Sequence, residues 1–264
     1  MSYATWLAGI SVVFAALERL FPWRREQPFL RRELLGDVGW LVVNGHLFNV
    51  ATAGLTAWTA VQAGELLRPL GLVPAVPLLA GTSLAVQFVV LLVVSDFVQW
   101  CVHNLLHRVP WLWTFHKLHH SAEALDFIVN FRFHWMEILV YRVGLWLPLV
   151  WLGASGGAAF AVAIFGTVWG DFNHSNLNVG LGPLGRVFNN PRMHLWHHDI
   201  SDEGGTAKNF GIVFSLWDFV FGTAFWPRDR SPERLGYPGM EEMPRRLPGQ
   251  LVWPLGRALA ARQR

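Results

Sequence analysis

The feature that most constrains this chain is a set of apolar runs, each about as long as a bilayer core is thick. Three of them span about Tyr3 to Phe21, Val38 to Ala63 and Val76 to Val102. A helix needs about 20 residues to cross the hydrocarbon layer, and it satisfies its own backbone hydrogen bonds there. The first run has no basic residues ahead of it, so it suits an anchor better than a cleaved signal. A fourth run, about Ile138 to Trp169, is interrupted by Pro148 and by Gly153-Ala-Ser-Gly-Gly157, a punctuation that predicts a helical hairpin. Composition agrees: 53% of residues are hydrophobic and 15% are charged, against about a quarter charged in soluble domains. The 15 Trp suit membrane–water interfaces.

Charge gives the runs a direction. Arg24, Arg25, Arg31 and Arg32 follow the first run, while the loop between the second and third holds only Glu65 and Arg68. By the positive-inside rule the Arg-rich loop is cytoplasmic. Alternation then places the residues after the third run, and those from Asp171 onward, on that side. Arg245, Arg246, Arg257, Arg262 and Arg264 in the C-terminal tail agree. The expected fold is an all-α integral membrane protein with about three transmembrane helices, a helical hairpin and a cytoplasmic, His-rich helical cap. We divide it into membrane-anchoring helices (1–84), a catalytic domain (85–227) and a basic tail (228–264). The net charge of +3 does not point to nucleic acid, because basic stretches interleaved with aromatics are absent; anionic lipid accounts for the Arg residues. The single Cys101 excludes an internal disulfide and a Cys-rich zinc site, and is expected to be a buried bystander.

Ten of the eleven His lie between positions 103 and 198. His103 and His107 are four apart. His116, His119 and His120 form HxxHH, as do His194, His197 and His198, and His174 stands between them. Residues three and four apart share a helix face, so each cluster aims its imidazoles together. Neutral imidazole suits Fe, Zn and Cu. Nine imidazoles are too many for one tetrahedral zinc with an open position, and they suit two metals. HExxH, the zinc-protease motif, is absent. Because the first cluster starts where the third apolar run ends, the metals are expected at the membrane surface.

The order HxxxH, HxxHH, lone His, HxxHH resembles the fatty acid hydroxylase/sterol desaturase superfamily. Further stretches carry the resemblance: Ser95-Asp-Phe, Arg132-Phe-His-Trp-Met-Glu137 (with Trp135 where Pro is usual), Phe172-Asn-His-Ser-Asn176, Pro191 to His198, Lys208-Asn-Phe-Gly211 and Asp218 to Thr223. The resemblance covers roughly residues 85–227. It implies a di-iron, O2-dependent lipid hydroxylase or desaturase in a membrane, with His103, His107, His116, His119, His120, His174, His194, His197 and His198 as ligands. It is specific for the superfamily and does not choose the lipid. The chain carries no recognisable redox domain of its own, so a separate electron donor (ferredoxin, cytochrome or reductase) is implied. A membrane zinc-dependent hydrolase and a non-catalytic metal-handling protein are the competing readings.

Other positions are weighed individually. His134 lies inside a family-like stretch and is a candidate ligand or active-site contact. Asp96, seven residues before His103, is expected to accept the second N–H of a ligand imidazole, as metal-binding His commonly require; Asp171 and Asp199 are weaker versions of that expectation. Glu123, Asp126 and Glu137 flank the clusters and are expected at the surface. His46 is expected to be buried and satisfied. Asn178 is expected in a turn or cap, and Gly180 to Gly185, formally GxGxxG, is expected to be a plain loop. The aromatics at 111, 113, 115, 127, 131, 133 and 135 could line a lipid tunnel.

Overall fold

The computed structural model describes residues 2–48, 58, 61–62, 64–71, 78–200 and 208–254. Helix α1 spans Tyr3–Leu20 and is capped by Ser2, whose Oγ accepts from the Thr5 N–H. Helix α2, Leu34–Val42, runs on into a π-helical turn, Val43–Leu47. Helix α3 is the longest, Leu84–Arg108. Then follow α4 (Pro110–His120), a 3-10 turn (Phe127–Phe131), α5 (Trp135–Leu152) and α6 (Gly156–His174). Beyond them lie α7 (Pro191–His197), α8 (Leu216–Phe221) and α9 (Leu247–Val252). Among the described residues there are no strands, only two isolated bridges.

The apolar runs become helices with local adjustments. The first run is α1. The second is α2 and its π turn as far as residue 48; positions 49–57 lie outside the described residues. The third starts at Leu84 because Ser83 caps it, its Oγ accepting from the Val86 N–H. It continues past Val102 to Arg108, so His103 and His107 belong to the long helix itself. The fourth is the expected hairpin. Gly153 ends α5 at φ 63, the left-handed conformation that favours glycine, and Ser155 caps α6. The helix runs through Pro148, so only the Gly-rich turn divides the hairpin. The GxGxxG stretch holds a 3-10 turn at Gly182–Arg186 and no strand, as expected of a loop. His46 is exposed, contrary to expectation.

Among the described residues, α1 and α3 are long and apolar enough to cross a membrane. Both carry exposed aliphatics: Val12 and Val13 on α1, Val86 and Val89 on α3. Helix α3 packs against α5 and α6, and α6 packs against the Phe127–Phe131 turn and α7. One apolar cluster ties Leu91 of α3 to Leu152 of α5 and Ala158 of α6. Another ties Ile10 and Phe14 of α1 to Phe127 and Ile128.

Buried polar ties complete the frame. Arg31 bonds both oxygens of Asp126, at 2.7 and 2.8 Å, and lies 2.6 Å from Asp37, which also meets Arg132 at 3.2 Å. Asp126, expected at the surface, is thereby buried in an ion network joining the segment before α2 to the turn that follows α4. Residues 228–254 also pack on the body. Gln250 accepts from Trp40 Nε1 at 2.8 Å, and the Leu251 carbonyl accepts from Trp135 Nε1 at 3.0 Å.

Candidate metal centre

The histidines sit where α3, α4, α6 and α7 meet. Local sequence explains each placement. Pro110 stands in the first turn of α4, where no N–H is needed. Asn190 caps α7 by accepting from the Met193 N–H, with Pro191 behind it. These two short helices carry the HxxHH clusters, while α3 and α6 deliver His103, His107 and His174 from their ends.

All nine predicted imidazoles converge, in two groups. His103, His107, His116, His120 and His197 form one; His119, His174, His194 and His198 form the other. Within each group one nitrogen per ring lies within 4.8 Å of all the others. Each HxxHH is therefore divided. In α4, His116 and His120 join the five-histidine group and His119 crosses to the four. At α7, His194 and His198 join the four and His197 crosses to the five. Residues i and i+4 are nearly in line along a helix, whereas i+3 is turned about 100° from i+4. The groups touch: the His120 and His198 rings stack at 4.5 Å, and those of His194 and His197 at 5.2 Å.

The donor geometry fits metal ions. In the five-histidine group, His116 Nε2 lies 3.2 Å from Nε2 of both His103 and His120. In the four, His174 Nε2 lies 3.1 Å from that of His119 and 3.0 Å from that of His194, and His194 lies 3.3 Å from His198. Ligands about 2.1 Å from one ion are separated by roughly 3.0–3.4 Å when adjacent, so these spacings match polyhedron edges. The buried Nε2 atoms of His107 and His197 have no protein partner, as expected of atoms reserved for an ion. Burial also keeps the imidazoles neutral, the form that ligates. It pushes His116 down to about 3 and holds His119, His120, His194, His197 and His198 well below the ordinary value of 6.5.

Four rings are oriented through Nδ1. His116 Nδ1 meets Glu137 Oε1 at 2.7 Å. His103 donates to the Phe210 carbonyl at 2.8 Å, His174 to Gly170 at 2.8 Å, and His197 to Lys208 at 2.6 Å. Committing Nδ1–H in this way leaves the Nε2 lone pair for a metal. Glu137, expected at the surface, is the buried carboxylate of the site. Its signal was its place in the Arg132 to Glu137 stretch.

The remaining candidates fall elsewhere. Asp96 does not bond an imidazole. Its oxygens accept from the Val213 and Phe214 N–H groups and from Trp217 Nε1 at 2.7–3.0 Å. Asp218 does the same for Phe210 and Gly211, both at 2.9 Å. Together they hold the loop whose Lys208 and Phe210 carbonyls orient two rings, so Asp96 acts one layer further out than expected. Asp171 accepts from Asn130 at 2.8 Å. Asp199 pairs its backbone with Leu235. His134 is outside both groups: Nδ1 caps α5 by accepting from the Met136 N–H, and Nε2 donates to the Leu251 carbonyl at 3.1 Å.

A cavity of about 400 Å³ lies between α3, α5 and α6, and two of its lining residues touch the four-histidine group. Phe133, in its wall, stacks on His119 at 4.6 Å, and Gly170, also in its wall, accepts from His174. Of the aromatics suggested as tunnel lining, Phe131 and Phe133 line it.

Fold and site together define a helical protein with membrane-length helices and a buried centre of nine imidazoles. The chain belongs to the fatty acid hydroxylase family, whose model matches residues 88–223, just over half of it. It is similar to the ornithine lipid hydroxylase OlsE of Rhizobium tropici, 34% identical over 176 residues, covering 66% of this chain and 52% of that protein. An alkylglycerol monooxygenase of Caenorhabditis elegans is 29% identical over 144 residues, 54% of this chain and 28% of its own. Methylsterol monooxygenase 1-3 of Arabidopsis thaliana is 22% identical over 188 residues, 67% of this chain and 59% of its own. The match thus spans from 28% to 59% of the length of these relatives. No solved structure matches the chain.

Proposed function

We propose that this chain is a membrane-bound, O2-dependent lipid oxidoreductase, a hydroxylase or desaturase, whose nine histidines hold two irons. The observation that carries the reading is the convergence of nine neutral, buried imidazoles in adjacent groups of five and four. The family and the names of the relatives support it, since those proteins are lipid hydroxylases and monooxygenases. Iron and O2 bound there would supply an oxidant able to take hydrogen from an unactivated C–H bond. The chain's own part is positional. Glu137 and the carbonyls of Lys208, Phe210 and Gly170 orient the rings. Phe133 and Phe210 pack against the imidazoles and keep water away. The cavity beside His119 and His174 presents one carbon of a lipid. Either reaction consumes one O2, two electrons and two protons: hydroxylation adds one oxygen atom to the lipid and reduces the other to water, whereas desaturation removes two hydrogens from the lipid and reduces both oxygen atoms to water. Either needs a separate electron donor. We place the chain as a multi-pass protein anchored through residues 1–84, with the centre on the cytoplasmic side.

Isotopically labelled O2 tests this. Cells producing the chain and cells producing His194→Ala are grown under it, and their lipids are compared by mass spectrometry. A labelled lipid alcohol, or an unlabelled new alkene, present only with the intact chain is the expected result. Identical lipid profiles, with the intact protein shown to carry metal, would contradict the reading and favour a hydrolase or a metal-handling protein.

A further inference from the structure

The cavity is polar in its middle and apolar at its far end, and three helices agree on the spacing. Distances follow from the helical rise of about 1.5 Å per residue. On α3, Gln99 is one turn from His103, about 6 Å, and Leu91 is about 18 Å away. On α5, Tyr141 and Arg142 lie about 6–8 Å from Glu137, and Leu149 about 18 Å. On α6, Thr167 is about 10 Å from His174, and Val162 about 18 Å. All seven line the cavity. A belt of hydrogen-bonding groups therefore separates the histidines from an aliphatic pocket. Tyr3 closes the belt, its hydroxyl 2.8 Å from that of Thr167. Among the described residues of the cavity wall, Arg142 is the one cation. The guanidinium lies over the Phe48 ring, 5.3 Å from the centroid, which holds it at the cavity wall. A cation in an apolar helix is costly to keep, and such groups mark ligand paths.

We propose that this cavity takes an anionic amphiphile, a lipid carboxylate or phosphate, with its chain in the far pocket and its anionic group against Arg142. Where the head group continues beyond the anion, the carbon presented to the histidines then belongs to the head group of the lipid, not to its tail. Guanidinium matches either anion through paired N–H donors. This substrate class rests on the lipid oxidoreductase reading, but it is tested by binding alone, so either can fail without the other.

The full chain in detergent is titrated with cis-parinaric acid and with its methyl ester, following energy transfer from tryptophan. The acid is expected to bind at least about tenfold tighter than the ester. Arg142→Gln should abolish that preference and Arg142→Lys should keep most of it. Ala163→Trp, which fills the far pocket, should weaken acid and ester alike. Displacement of the probe by palmitate alone assigns a carboxylate, and displacement by hexadecyl phosphate alone assigns a phosphate. Equal affinity for acid and ester, a preference untouched by Arg142→Gln in protein that still unfolds cooperatively, binding unaffected by Ala163→Trp, or displacement by neither competitor would overturn the proposal.

Discussion

The two histidine groups are built from the same kind of helix but are held differently. In the five-histidine group, three rings are fixed through Nδ1, by Glu137 and by the Phe210 and Lys208 carbonyls. In the four-histidine group only His174 is fixed this way, and the buried Nδ1 atoms of His119, His194 and His198 have no protein partner. Two residues of the cavity wall, Phe133 and Gly170, contact the four-histidine group directly. On the proposed reading, the group with more ligands and more supports would hold its ion the more firmly, and the one with fewer ligands, beside the cavity wall, would leave room for exogenous molecules. Ligand count alone therefore does not distinguish the groups; the supports around the ligands do.

The largest expected effect breaks both groups at once. In metal-free protein, burial holds His116 and its neighbours neutral far below the ordinary 6.5, whereas in the unfolded chain they protonate near it. The unfolded state then binds more protons, so stability falls as pH drops from about 6.5 toward 3, and is flat from this source above 6.5. Thermal unfolding of chelator-treated protein should show that loss, and metal-loaded protein should resist it over the upper part of the range. A melting temperature independent of pH in that window would mean the imidazoles are not buried and neutral.

A smaller effect separates the groups. Glu137→Gln removes the carboxylate from His116 while keeping shape, and should weaken metal binding by roughly 10–100-fold at the five-histidine group only. Competition with a chelator should then show one tight and one weakened ion. Equal weakening of both would erase the distinction between the groups. The smallest effect falls on the other group. A Cβ on Gly170 would stand 2.6 Å from Asn130 Oδ1. Gly170→Ala should therefore cost only about 0–2 kcal/mol, because the helical preference of Ala over Gly by about 1 kcal/mol offsets part of the overpacking, and should disturb the cavity end near His174, leaving binding at the five-histidine group unchanged in the same competition.

Much of this site was legible in sequence, because helical spacing brings His onto shared faces before any tertiary contact is known. All nine imidazoles, the hairpin and α1 were readable that way. The division of each HxxHH between groups was not, since it depends on how α4 and α7 pack. Asp96 illustrates a limit of periodicity. Seven residues put it on the His103 face, but that is two turns, about 10.5 Å along the helix, too far to reach the ring. It instead holds the loop from Val213 to Trp217, which is remote in sequence. Glu137 was overlooked for the opposite reason: nothing in its local spacing to the clusters shows that α5 brings it to His116.

Metal content per chain is the most direct test of the central claim. Protein purified in detergent is assayed for iron and zinc beside His197→Ala, His119→Ala and the double variant, each removing one ligand from a different group. About two irons per chain are expected, with weakened retention of a different one in each single variant and loss of both in the double. A single zinc per chain, or metal unchanged in the double variant, would contradict the claim.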